Sequence, residues 1–173
     1  FPEQYAEQLS TCSRSINSLR MSYGEKPIYA ECGGMLLLGR SLTNLNGERY
    51  EMSGILPFDA EEGKLQIGYR NIISKGDSLL LRKDDFLVGH EFHKWELTHN
   101  NNSNLIKKIV PDKKFLETNP LWQVEGWGMK SRPEGWANKS LHASWIHLHL
   151  ASHIELLRRW KNAIKKQVLK MKS

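Results

Sequence analysis

Cysteine is scarce in this sequence: Cys12 and Cys32 are the two present in 173 residues. Two are too few for a disulfide framework and fit a reducing cytosol, so a cytoplasmic location is expected. Long apolar runs are absent too. The longest, Met35-Leu36-Leu37-Leu38, is far short of the roughly 20 residues that cross a bilayer. No charged-then-apolar segment of the signal-peptide kind opens the chain, and no membrane partner is expected. No Cys-x-x-Cys occurs, so a closed zinc site lacks its usual ligands. The histidines at 90, 93, 147, 149 and 153 fit a three-histidine metal site only loosely, and no metal is expected. A Gly-x-x-x-x-Gly-Lys-Ser/Thr phosphate loop is also missing, so no cofactor is expected in this chain. Internal repeats and domain boundaries are not evident, and residues 1–173 read as one domain. An initiator methionine is lacking as well: the chain opens at Phe1, as a processed protein or a piece of a longer one would.

What is present is a globular composition, 39% hydrophobic and 25% charged, with a net charge of +6. That excess permits a nucleic-acid partner without demanding one. Tyr5, Leu9, Cys12, Ile16 and Leu19 recur at steps of four and three, which predicts a helix over residues 3–22 with Cys12 in the core and Gly24 as its stop. Residues 26–31 predict a strand, and 35–40 a helix after the Gly33-Gly34 turn. Strands are expected over 63–74, 89–97, 121–129 and 141–150, with a turn at 132–135 and a polar loop over 99–104. An amphipathic helix over 152–170 should turn Leu157, Trp160, Ile164 and Val168 inward, with Arg158, Arg159, Lys161, Lys165 and Lys166 opposite. This order favours an α/β domain. The basic face then reads as the solvated side of a packed helix, and no nucleic-acid partner is expected.

Strand, sharp turn, helix around Cys32 is the local architecture of a nucleophile elbow. A cysteine nucleophile needs thiolate, and a helix N-terminus lowers a thiol pKa. Gly33 and Gly34 allow a tight turn, and the Gly33 N–H would face a developing oxyanion. The bland alternative is a small buried cysteine before a flexible turn. A cysteine nucleophile also wants a histidine for its proton. His147 and His149, two apart on an expected strand, should share a face.

Three segments occur in order: Pro27-Ile28-Tyr29-Ala30-Glu31-Cys32-Gly33-Gly34-Met35, Gly89-His90-Glu91-Phe92-His93 and Ala143-Ser144-Trp145-Ile146-His147-Leu148-His149-Leu150. Together they resemble the glutamine amidotransferase domain of the cobyrinic acid a,c-diamide synthase family, over nearly the whole chain. The resemblance implies a class I, triad-type amidotransferase with a flavodoxin-like sheet flanked by helices, incomplete at its N-terminus. It implies Cys32 as nucleophile, His147 as general base and acid, and the Gly33 N–H in the oxyanion hole. Glutamine would be the substrate. Ammonia would pass to a synthetase domain, absent here, that uses ATP and Mg2+ to amidate the a- and c-acetate carboxylates of cobyrinate. Cobyric acid synthase is a neighbouring alternative, though Leu148 stands where that relative usually has glycine. A catalytically impaired interaction module is another.

Many class I glutaminases carry a glutamate two residues after the catalytic histidine. Here that position is His149, so a Cys-His dyad is expected, with His149 and Glu91 as candidate supporting residues. Glu91 reads first as structural or as part of the interface with the synthetase domain, and second as an alternative carboxylate. Phe1-Pro2-Glu3 matches the end of a glycine-rich loop of the family whose glycines are missing. One lost oxyanion donor costs on the order of 10² to 10³ in rate, so weak or no glutaminase activity is expected of the isolated chain.

Overall fold

The computed structural model describes residues 1–98 and 120–170. The expected polar loop over 99–104 lies outside the described residues. After a 3-10 turn at Pro2–Tyr5 come two helices, α1 (Ala6–Thr11) and α2 (Ser13–Ser22), where one was expected. The break falls at Cys12, whose ψ is 54°. Its cause is local: the Ser10 and Thr11 hydroxyls donate to the carbonyls of Glu7 and Gln8, at 2.6 and 2.7 Å, in competition with the helical ladder. The break also turns the apolar stripe, so Cys12 is exposed rather than in the core. Gly24, at φ 79°, follows α2 as expected.

The strands are β1 (Ile28–Glu31), β2 (Ser41–Thr43), β3 (Arg49–Glu51), β4 (Asp59–Ser74), β5 (Phe86–Thr98), β6 (Trp122–Glu125), β7 (Arg132–Glu134), β8 (Trp136–Ala137), β9 (Leu141–Ser144) and β10 (Ile146–Leu148). Between β1 and β2 lies the short helix α3 (Gly33–Leu36), and α4 (Ile154–Lys170) closes the chain after a 3-10 turn at Leu150–Ser152. The fold is mixed α/β, as expected. One sheet has the order β1-β9-β8, with β1 and β9 parallel. The other runs β10-β5-β4-β2-β3, with β6 on β4 and β7 on β6. Its spine is the antiparallel β4–β5 pair, in which β4 starts before its expected span and ends with it, while β5 exceeds its span at both ends. That pairing leaves Ile67, Tyr69, Ile73, Phe86, Val88 and Phe92 exposed on one face. Ile72, Leu87 and Glu91 are buried on the other.

The strand expected over 141–150 is divided at Trp145. Its first half pairs with β1 in one sheet and its second with β5 in the other. The divide sits between two cores: Trp145 packs with Met35, Phe58 and Trp95, whereas Ile146 packs with Ile72, Trp122 and Leu156. Glu134 pins the crossing. Its buried carboxylate accepts the Trp145 N–H (2.9 Å), the Ser144 hydroxyl (2.7 Å) and the Trp122 indole N–H (2.6 Å). A carboxylate stripped of water is tolerated only when its lone pairs are filled in this way.

On α4 the inward face is Leu156, Trp160 and Ala163, a quarter-turn from the expected one. Ile164 and Val168 are exposed. Arg159, expected outside, turns in to donate to the Leu80 carbonyl at 2.9 Å and to pair with Asp85. A guanidinium with a buried acceptor and a counterion outweighs the simple periodicity of the helix. No helix among the described residues is long and apolar enough to cross a membrane.

Candidate active site

Cys32 stands between the end of β1 and the start of α3 with φ 49° and ψ −112°. A non-glycine residue there is strained, at a cost of order 1–3 kcal/mol, which the surrounding structure must hold in place. The strain falls on the cysteine, not on the two glycines after it. Its N–H donates to the Ser144 carbonyl at 2.7 Å, and its thiol lies 3.7 Å from the Phe92 carbonyl. Gly33 is required sterically: a Cβ there would meet Pro2 Cδ at 2.7 Å, so the N-terminal turn packs directly on the elbow.

The electrostatics differ from expectation. Burial pushes the Cys32 thiol up, and the nearby carboxylates of Glu3 and Glu31 push the same way. The Gly33 backbone N–H, directed at the sulfur, pulls it down without prevailing. Helix α3 has only four residues, and so short a helix has little dipole to lend. The resting group is therefore a thiol that needs a base.

His147 approaches from β10, opposite His90 in the register with β5. Its ring is half-exposed, and Nδ1 lies 3.6 Å from Glu31 Oε2. The residue just before the nucleophile thus touches the histidine. That same Glu31 accepts the Leu148 N–H at 3.0 Å through Oε1 and is bonded by the Tyr29 hydroxyl. Nothing in a single sequence signalled this contact beyond adjacency to Cys32. It arises because β1 and β9 run parallel and the chain then switches sheets at Trp145.

The other expected residues separate from this pair. His149 lies past the end of β10, where its Nδ1 is 2.7 Å from Ser152 Oγ on an exposed turn, so it does not share the His147 face. Glu91 is fully buried on the opposite face of β5. It binds Arg70 (2.6 Å), Arg132 (2.5 Å) and His93 (2.9 Å), which is a structural role. Burial opposes its ionisation, but these three partners hold its carboxyl at about 2. His93 stacks on Trp145 with ring centroids 3.9 Å apart. His142 is buried between Tyr29 and Trp122. Gly89 allows close approach of β10: a Cβ there would sit 2.2 Å from Ile146 Cγ2. The Gly-His-Glu-Phe-His segment therefore works by seating the strand that carries His147 and by supplying the Phe92 carbonyl beside the sulfur. Gln66 lines a separate cleft with His93, Arg132 and Trp136, and neither Cys32 nor His147 lines it.

A thiol on a strained elbow, a backbone N–H at its sulfur and a histidine in contact with the side chain of the preceding residue are the kinds of group that acyl transfer through a thioester uses. A cobyrinate a,c-diamide synthase from Synechocystis sp. is 32% identical over 165 residues, which are 94% of this chain and 31% of that protein. One from Salmonella typhimurium is 29% identical over 169 residues, 96% of this chain and 34% of that protein. One from Thermoplasma acidophilum is 40% identical over 97 residues, 54% of this chain and 22% of that protein. The chain spans about a third of the length of the curated relatives it matches end to end. Residues 2–154 match the CobB/CobQ-like glutamine amidotransferase domain, and the chain belongs to that family.

Proposed function

We propose that this chain is the glutaminase part of a cobyrinate a,c-diamide synthase, releasing ammonia from glutamine for ATP-dependent amidation of cobyrinate carboxylates. The observation that carries the proposal is Cys32 at φ 49° on the strand–helix elbow, with His147 3.6 Å from the side chain of the preceding residue. His147 takes the thiol proton as sulfur attacks the side-chain carboxamide carbon of glutamine. The resulting oxyanion is held by backbone N–H groups, Gly33 among them. The imidazolium then gives its proton to the departing nitrogen, and ammonia leaves a thioester. His147 next removes a proton from water, which attacks the thioester. Glutamate departs and the sulfur recovers its proton. Because burial keeps the thiol protonated, proton removal belongs to the attack step itself.

The receiving part is proposed from length and position. The relatives named above are about three times as long as this chain, and the ATP-dependent chemistry needs residues this chain lacks. The exposed apolar face of β4 and β5 carries Ile67, Tyr69 and Phe92, and the Phe92 carbonyl faces the Cys32 sulfur. An uncovered apolar face continuous with the thiol suits the partner that receives ammonia.

Labelling with diazo-oxo-norleucine, a glutamine-like electrophile, tests the reading. The expected product is a single adduct on Cys32 with Cys12 spared, lost in Cys32→Ala and slowed at least tenfold in His147→Ala. Adducts on Cys12 alone, or equal labelling of both cysteines, would sink it.

A further inference from the structure

Class I glutaminases with a full triad orient the histidine with a carboxylate on its own strand, and here His149 holds that place and faces away. Glu91 is consumed by two arginines and His93. We infer that Glu31, the residue before the nucleophile, is the positioning carboxylate for His147, so that the triad is completed from the nucleophile's own strand. This rests on the glutaminase reading for its chemistry and on geometry alone for its contact.

Three features support the assignment. Glu31 Oε2 faces His147 Nδ1 at 3.6 Å, within ion-pair reach though longer than a formed hydrogen bond. Such contacts are often long before substrate binds and tighten in the complex. Oε1 is locked, since it accepts the N–H of Leu148, the residue after His147, and the Tyr29 hydroxyl. The carboxylate is therefore tied to the same backbone that carries the ring, and it moves with His147 if β10 shifts. Finally, Glu31 is mostly buried, with its side chain 20% exposed, which limits solvent screening of its charge.

The arrangement has a chemical consequence. A carboxylate beside Nδ1 favours the tautomer with hydrogen on Nδ1, leaving Nε2 bare to accept the thiol proton. It also favours the imidazolium formed during attack. Across on β5 the register sets His90 opposite His147, with Tyr69 edge-on to the His90 ring.

The test has two readouts on the intact chain. Long-range proton–nitrogen NMR at about pH 8, where free imidazole is neutral, reports the His147 tautomer, with the signal assigned from His147→Gln. The expected result is hydrogen on Nδ1 in the parent chain and a shift toward the Nε2 tautomer in Glu31→Gln. That variant keeps an acceptor for Leu148 and Tyr29, so its melting temperature should stay close to the parent's. The rate of diazo-oxo-norleucine labelling of Cys32 should fall at least tenfold in Glu31→Gln and recover in part in Glu31→Asp. A purely structural Glu31 would leave the tautomer unchanged, and that result overturns the assignment. Unchanged labelling in Glu31→Gln, with the parent reactive, overturns it as well. A parent chain that never labels defeats the glutaminase reading instead, while the tautomer still decides the role of Glu31.

Discussion

The two thiols of this chain pose the same chemical group in opposite settings. Cys12 sits exposed at a helix break, whereas Cys32 is half-buried with its pKa pushed up by burial. A small general alkylating agent selects for access, which favours the exposed Cys12, and for thiolate, which burial disfavours at Cys32. A glutamine-shaped electrophile selects for a glutamine site and a base near the sulfur, which the proposed function assigns to Cys32. Iodoacetamide at about pH 7 is therefore expected to modify Cys12 several-fold faster than Cys32, as read by peptide mass spectrometry over time. The glutamine analogue should invert that order. Faster iodoacetamide reaction at Cys32 would mean a resting thiolate, and the proton-removal step argued for His147 would be unnecessary.

Among the elements, β10 matters most because it carries His147 on three residues, Ile146–Leu148. Its seat is the notch at Gly89, where an added methyl would overlap Ile146 Cγ2 at 2.2 Å and crowd the His147 carbonyl at 3.0 Å. Overpacking of this kind costs about 1–3 kcal/mol. Gly89→Ala should therefore lower stability by that amount in urea unfolding and slow Cys32 labelling at least tenfold. Gly76→Ala is the control, since nothing lies within 4 Å of a Cβ there and less than about 0.5 kcal/mol should change. Equal behaviour of the two variants would detach β10 placement from reactivity. The turn after the strand at 28–31 was legible because a short apolar strand running into Gly-Gly reads as a sharp bend, a pattern that suits a structural cysteine as well as a nucleophile. The strands β4 and β5 were each legible from period-two alternation, but their pairing is shown by the structure alone. The split at Trp145 was not legible, because a continuous strand-like stretch with no Gly or Pro reads alike whether it stays in one sheet or crosses between two. What decides the crossing is Glu134, whose partners Trp122, Ser144 and Trp145 come together only in three dimensions. The face of α4 was misread for a similar reason: periodicity weighs apolar side chains and is blind to an arginine drawn inward by Asp85. The role of Glu31 was hidden because pairing with His147 spans a sequence separation that no spacing rule covers.

Across the whole molecule, His142 and Glu91 are buried groups with lowered pKa values that should weaken the fold toward acid in separate pH windows, whereas burial pushes the pKa of Glu134 up and adds nothing to that loss. His142 is fully buried, and neither ring nitrogen has a hydrogen-bond partner among the described residues. Burial holds its pKa down at about 3 against an ordinary 6.5. Below 6.5 the unfolded chain takes up a proton that the folded chain refuses. Stability from the neutral ring is thus full above 6.5 and drains as pH falls toward 3, at up to about 1.4 kcal/mol per unit. Glu91 is depressed to about 2 from 4.5, so its contribution is complete above 4.5 and is lost only as pH falls from there toward 2. Asp59 and Asp85, also held down, act in the lower window in parent and variants alike. His142→Leu removes the proton uptake of the unfolded state. The parent should therefore lose about 2 kcal/mol more than this variant between pH 7 and pH 5 in urea titrations. Glu91→Gln strands two arginines and should cost about 3–5 kcal/mol at pH 7. That deficit should close below about pH 4.5, where the parent carboxylate itself begins to protonate. Parallel pH profiles for the parent and His142→Leu would show that the buried imidazole finds water or a partner when it titrates. The upper window would then belong to another group.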